Sequence, residues 1–463
     1  MEEVFADFRR AITEGNGYAL AATISPIAPG HDAGRLYAFY RSSKAHQIDG
    51  DIRYAIKYND TLRLPRTESS AWNDVFVNYW KAVGEILAAE EATNQGRIRD
   101  AQWSRVYDAW KDVANTLIKY HISGVFPAWT IPCLYLAGKY LRTFAIKADE
   151  QSARVKGNVT FNAGYQDDVV SSIGKNEKLE DAARQLNRMF ALCLGDRAPI
   201  EDSRKWGTYY TANLLFKTHF KLNSINLSKN IIRSIQAQVD MPPLEAFPKS
   251  HQVTFKYYVG VVAFLQEDYV QAEKNLTEAW ELCHKNAQKN QELILTYLIP
   301  CRLITKHTLP TTALLSPYPR LQVLFSPVAA CIKRGDLAGF DAALIAGEDE
   351  FVKRRIYLTL ERGRDVTLRN LLRKVFLAGG YEPLKEGQTE AERIRRTRIP
   401  IGEFAAALKL GMGVDGQVLE DDEVECMIAN MIYKNLMKGY ISRERAMVVL
   451  SKNAGMAFPG TGV

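Results

Sequence analysis

The sequence predicts an all-α chain, a solenoid of tetratricopeptide-like helical repeats capped at its C-terminal end by a winged helix. Three observations carry that prediction. Apolar residues recur at three- and four-residue intervals along most of the 463 residues, so they line single faces of successive helices. Residues 254–264 and 269–284 read as a helix pair whose pattern Gly260, Ala272, Leu276 and Ala279 puts small residues where two helices must approach. Near the end, Val424, Met427, Ile428, Met431, Ile432 and Leu436 form one stripe that stops at Lys438-Gly439. Two short β-prone segments follow, 440–441 and 446–450, around the charged tip Ser442-Arg443-Glu444-Arg445.

Residues 1–150 read as an N-terminal helical region. Trp72, Phe76, Tyr79, Trp80 and Val83 make one aromatic stripe, and Trp103, Val106, Tyr107 and Trp110 make another; at helical spacing such stripes are core. Residues 121–138 contain no Asp, Glu, Lys or Arg, yet the run is short and broken by Pro127 and Pro132, so it predicts a buried helix pair and not a membrane span. Periodicity is weakest between Asp149 and Lys178, which places a loop or boundary at 151–180. The repeats then occupy 181–345, with degenerate helical segments at 186–194, 209–220, 227–237 and 292–304.

The winged-helix end is expected at 346–455, followed by a tail at 456–463. A helix carrying Val352, Ile356, Leu358 and Leu360 comes first. Next, 366–377 buries Leu368, Leu371, Leu372, Val375 and Phe376, leaving Arg369, Arg373 and Lys374 on other faces. A polar insert, 381–398, ends in Arg393, Arg395, Arg396 and Arg398. A short strand at 399–401 and a helix at 402–410 complete the order helix, strand, helix, helix, hairpin.

Charge is concentrated in this end. Residues 353–398 hold thirteen Lys/Arg against six Asp/Glu, a surplus equal to the +7 of the whole chain. Such a local field favours phosphate backbones or acidic proteins. On the hairpin side, Lys434, Lys438, Arg443, Arg445 and Lys452 are placed to reach phosphates, while few groups are placed to read base edges. Binding of RNA or DNA should therefore be salt-sensitive and weakly sequence-specific. Glu423 and Glu425, on the same helix, oppose it near its start. The arginine cluster 393–398 is open to three readings: a nuclear-import signal, a phosphate clamp, or a solubilising loop.

Catalytic patterns are missing. No Gly-rich phosphate loop is present, no histidines have metal-ligand spacing, and Cys283 and His284 point about 100° apart on a helix. No catalytic residue, cofactor or metal is expected. Six dispersed cysteines fit reduced thiols, and Met1-Glu2-Glu3 does not open a secretory leader. The expectation is a soluble protein of nucleus and cytoplasm with no membrane association.

Particular residues then carry a resemblance: Tyr257-Tyr258-Val259-Gly260, Ala272-Glu273, the run 284–290, Leu298-Ile299-Pro300, Tyr357-Leu358, Arg369-Asn370-Leu371, and the runs 422–426, 429–433 and 438–442. Over roughly 205–455 the chain resembles the PCI-domain proteins. The branch is that of PCI-domain-containing protein two, the fungal twelfth COP-nine signalosome subunit, and the PCI partner of Sac-three in mRNA export. The resemblance implies a non-catalytic scaffold. It implies pairing with a Sac-three-like PCI protein and the small acidic Dss-one/Sem-one protein, in mRNA export, transcription-coupled processing or splicing. It also implies a joint nucleic-acid platform, which on this chain falls on Arg369, Arg373, Lys374, Lys434, Lys438, Arg443 and Lys452. COP-nine signalosome subunits, through protein contacts alone, are the alternative partners. The 381–398 insert departs from the branch's compact spacing.

Overall fold

The computed structural model describes residues 1–57, 64–97, 100–155, 176–383, 393, 395–412, 420–452 and 457–459. They form two units, Met1–Tyr258 and Val259–Val463, the division falling within the helix Lys249–Leu265.

The first unit is built on its aromatic stripes. The helices Arg66–Asn94, Trp103–Ile122, Ile131–Val155 and Glu177–Leu194 pack each against the next. Trp72 and Trp110 are wholly buried. The amphipathic helix Glu2–Glu14 closes this core with Phe5 and Phe8, whose rings lie 4.7 and 5.2 Å from Phe76. Burying rings of this size contributes on the order of 2–3 kcal/mol each. The charge-free run 121–138 is a helix end, a 3₁₀ turn (Ala128–Thr130) led by Pro127, and the start of the helix Ile131–Val155. Its Gly138 lets three helices meet, because an added Cβ would stand 2.9 Å from Leu186 and 3.0 Å from Leu214. No helix of the described residues is long and apolar enough to cross a membrane.

The helices on either side of the predicted loop or boundary at 151–180 reach into it. One helix runs on to Val155 and the next begins at Glu177; residues 156–175 lie outside the described residues. The reason is a long-range cap. Asn176 makes no side-chain cap, and Asp149 instead accepts from the backbone N–H of Lys178 (3.0 Å) and Leu179 (2.9 Å). Polar residues that looked like loop material are serving a helix end.

In the second unit the paired repeat forms as expected. Lys249–Leu265 and Tyr269–Leu282 are antiparallel partners; Ala272, Leu276 and Ala279 are fully buried, and a Cβ on Gly260 would stand 2.7 Å from Leu276. Asp268 caps the second helix through the N–H of Gln271.

The helix expected to carry Val352, Ile356, Leu358 and Leu360 is instead two: Glu348–Lys353 and Tyr357–Glu361, broken where Arg355 takes φ +59°. Ile356 and Leu360 are buried, whereas Val352 and Leu358 face solvent. Tertiary burial of two residues has overridden the apparent stripe.

The C-terminal end has the predicted order. The helix Gly363–Ala378 is followed by strand β1 (Arg398–Pro400), the helices Ile401–Met412 and Asp421–Tyr433, then β2 (Gly439–Ser442), a turn at Arg443–Arg445, and β3 (Met447–Leu450). The sheet order is β1-β3-β2, antiparallel throughout, with Tyr440 and Arg398 both opposite Val449. Leu372, Phe376, Ile399, Phe404, Val424 and Ile428 share one core with Val448 and Leu450. Two details differ from the sequence reading. The third helix ends at Tyr433, where Asn435 takes the left-handed turn (φ +56°) expected of Gly439. Gly439 starts β2 instead, and needs no side chain because a Cβ would fall 2.3 Å from the Val449 carbonyl. The expected tail also joins the core, with Ala457 and Phe458 buried.

Candidate nucleic-acid interface

The backbone of the hairpin decides which basic residues meet. Gly439 is paired with Leu450, and the Ser451 N–H donates to the Lys438 carbonyl at 3.0 Å. Lys438 therefore lies opposite Ser451, and Lys438 and Lys452 both belong to the open end of the hairpin. Arg443 and Arg445 sit at the turn, roughly 13 Å away along four residues of strand. Lys438, Arg445 and Lys452 are exposed, and no ion pair engages their side chains among the described residues. Arg373 is exposed likewise, on the helix Gly363–Ala378.

Other predicted residues are already occupied. Arg369 is a correction: it is buried, not displayed. Its guanidinium donates to Asn370 Oδ1 (2.7 Å) and to the carbonyls of Phe458 (3.4 Å) and Pro459 (3.1 Å). Burial, with Arg373 nearby, pulls its pKa down to about 10, so it stays charged near neutral pH. The Lys374 ammonium donates to the Arg334 carbonyl at 2.7 Å. Lys434 pairs with Asp365 at 2.6 Å. Arg443 pairs with Asp422 at 2.8 Å and approaches Glu425 at 3.6 Å. Each of these partners must be given up before the cation can be fully shared with a phosphate.

The arginine cluster is likewise not a free basic run. Arg395 donates to the Leu377 carbonyl and lies over the Tyr381 ring at 4.7 Å, while Arg396 pairs with Glu403 at 3.3 Å. Arg393 is exposed, and Arg398 is exposed on β1. Residues 384–392 and 394 of the insert lie outside the described residues.

Two side chains were missed from the sequence. Tyr433 is 89% exposed beside Lys434, and Tyr440 is 63% exposed on the edge strand β2. Their signal was available: Tyr433 falls off the apolar stripe, and Tyr440 alternates with the core-facing Ile441. Exposed rings beside lysines suit stacking on unpaired bases. The charge on the third helix is polarised. Asp421, Asp422 and Glu423 fill its first turn, inside a capping box made by Glu420 and Glu423. Lys438 and Lys452 lie past its C-terminal end, whereas the hairpin turn reaches back to the helix start through Arg443 and Asp422, so an approaching phosphate backbone would be drawn to the open end of the hairpin and repelled near residues 421–423. No group of three His, Cys, Asp or Glu able to hold a metal occurs among the described residues.

Comparison with known proteins agrees with this architecture. Residues 346–452 match the PCI domain. The protein described as "Protein CSN12 homolog" from Neurospora crassa is 56% identical over the full length of both chains. The chain belongs to this PCI-domain family. The CSN12 homolog of Gibberella zeae is 54% identical, again over all of both chains. The PCI domain-containing protein 2 of Danio rerio is 34% identical over 325 residues, 70% of this chain and 72% of that one. The family is thus a PCI scaffold family spanning both names, and its helical region and small sheet are those described above.

Proposed function

We propose that this protein is a non-catalytic scaffold subunit of a nuclear complex, with a Sac-three-like PCI protein and a small acidic Dss-one/Sem-one protein as its partners. On this reading it binds RNA or DNA with low sequence specificity in mRNA export, transcription-coupled processing or splicing, and is found in nucleus and cytoplasm. The observation that carries the nucleic-acid part is the exposure of Lys438 and Lys452 at the open end of the hairpin and of Arg445 at its tip, none of them in an ion pair among the described residues. Cations held by the fold without a protein counter-ion exchange condensed counterions for phosphates at low cost. The test is fluorescence anisotropy of labelled single strands and duplexes across a salt series. Binding that weakens steeply with salt and is indifferent to sequence supports the reading; no binding at low salt removes it.

A second reading has its own observation. Lys434 and Arg443 are spent on Asp365 and Asp422, which thins the positive field. That favours protein contacts alone, as in an accessory COP-nine signalosome subunit. Affinity purification from nuclear extract with and without nuclease separates the two. A nuclease-resistant trio with the Sac-three-like and acidic proteins supports the first, and stoichiometric signalosome subunits support the second.

A further inference from the structure

The first unit contains a cleft of about 650 Å³ that the PCI reading leaves unused. It is walled by aromatic rings and prolines from four separate stretches. Gly17 makes this possible: its Cα packs so closely on the 127–132 segment that a Cβ would lie 2.1 Å from the Trp129 carbonyl and 2.9 Å from Pro132. That contact seats Tyr18, 64% exposed, at the mouth beside the half-buried Trp129. The opposite wall is set by Tyr135, whose hydroxyl donates to the Trp206 carbonyl at 3.0 Å, and by Trp206 against Phe247 at 5.1 Å. Pro127, Pro132 and Pro248 line the remaining surface.

Some of its polar groups are satisfied and some are not. The Trp129 indole N–H has no partner among the described residues, whereas that of Trp206 is used on the Ile200 carbonyl. His251 lines the cleft at 7% exposure, and its Nδ1 is unpartnered. Burial lowers the His251 pKa, so the ring contributes no charge. Arg204 is neutralised by Asp196, which accepts from its backbone N–H at 2.6 Å and its guanidinium at 3.3 Å, and it also donates to the Phe126 carbonyl, while its Nε is left without a partner among the described residues. Glu201 and Asp202, exposed at the rim, have no cationic partner among the described residues. The cleft therefore presents apolar walls, an indole donor, a charge-neutralised Arg204 and a negative rim.

We infer that this cleft binds a proline-rich peptide in the polyproline II conformation, with an arginine or lysine flanking the prolines and paired to Glu201 and Asp202. Polyproline II needs no hydrogen-bonded neighbour strand, which this cleft does not offer. Its proline rings fit between aromatic faces, and its exposed carbonyls accept from an indole N–H. The flanking cation answers the rim. A nucleic acid is disfavoured there, because the same carboxylates repel phosphates.

The test uses the full chain and a peptide array of Pro-x-x-Pro cores flanked by arginine or by glutamate, with a matched series in which the prolines are alanine. Arginine-flanked proline peptides should be retained about tenfold more strongly than either control, a difference of about 1.4 kcal/mol. Trp129→Phe, which keeps a ring and removes the donor, should weaken capture. The exposed double change Glu201→Lys with Asp202→Lys should shift preference to the glutamate-flanked series. Equal capture of the proline and alanine series overturns the proposal, and so does a flank preference that survives the charge reversal.

Discussion

Arg369 holds the backbone carbonyl of Pro459 at 3.1 Å, tying the end of the chain to the helix Gly363–Ala378. The contact is reinforced from the hairpin side, where the Lys438 N–H donates to the Ala457 carbonyl at 2.8 Å. Phe458, 6% exposed, packs on Phe376 at 5.7 Å between centroids. A buried guanidinium whose two terminal amino groups are spent on Asn370 and on backbone carbonyls is a strut, not a phosphate contact. Arg369→Met should destabilise the winged-helix end by about 1–3 kcal/mol, the cost of stranding buried acceptors. Deleting residues 457–463 should do at least as much by also opening the Phe458 site. Urea unfolding followed by circular dichroism checks both. A variant Arg369→Met as stable as the parent would show that Phe458 and the Ala457 contacts hold the tail without the arginine.

The exposed and the occupied cations should separate in binding. Replacing Lys438, Arg445 and Lys452 together by glutamate should lower nucleic-acid affinity and flatten its salt dependence by about three phosphates' worth of slope. Replacing Lys434 and Arg443 should have a smaller effect on affinity, since each is already paired, together with a small stability loss of about 0–1 kcal/mol per exposed pair. Anisotropy titrations at several salt concentrations read both. Equal losses from the two sets would mean that the ion pairs open freely on binding. Tyr433→Ala and Tyr440→Ala add a discriminating measurement, because loss of stacking weakens single strands and leaves duplexes unaffected.

How much of this was legible in the sequence depends on the range of the interaction. The helix pair around Gly260 and Leu276, the core stripe Val424, Ile428 and Met431, and the hairpin order are short-range patterns, and periodicity shows them directly. Exposure of a charged side chain is not a short-range property. Arg369 and Arg373 are one helical turn apart in the same basic stretch, yet a carbonyl cluster ninety residues away buries one and leaves the other open. The Asp149 cap was hidden for the same reason, since its partners lie about thirty residues on. The break at Arg355 was hidden because Val352 and Leu358 continue an apolar stripe that the fold leaves exposed.

The Asp149 cap gives a local prediction in the first unit. Its two acceptor contacts serve the N–H groups of Lys178 and Leu179, which the helix Glu177–Leu194 cannot satisfy internally. Asp149→Ala should cost about 1 kcal/mol, in the range of a lost N-cap, and Asp149→Asn should recover part of it because an amide oxygen still accepts. Amide exchange at 178–180 should accelerate in the alanine variant before exchange elsewhere. A uniform change in exchange would argue that the cap is not local.

Acid should loosen the second unit through two carboxylates. Glu273 is buried, and burial alone would raise its pKa; the Lys306 ammonium, the Thr305 hydroxyl at 2.7 Å and the Arg302 charge more than offset this and hold it below its ordinary value. Glu350 behaves alike, with burial outweighed by Arg320 at 2.6 Å and by Lys353 and Arg354. Both groups thus release protons more readily folded than unfolded. Their contribution to stability is complete above the ordinary glutamate pKa and is lost as pH falls through the lowered folded values. Denaturation midpoints should begin to fall below about pH 6.5, where histidines whose pKa burial lowers (His121, His219, His251 and His307) take up protons only on unfolding, and should fall more steeply below about pH 5 as these two carboxylates protonate. Glu273→Gln keeps the Thr305 hydrogen bond but removes the charge. It should lower stability at pH 7 and make the decline below pH 5 shallower. A parent and variant whose curves stay parallel through that window would assign the acid sensitivity to other carboxylates.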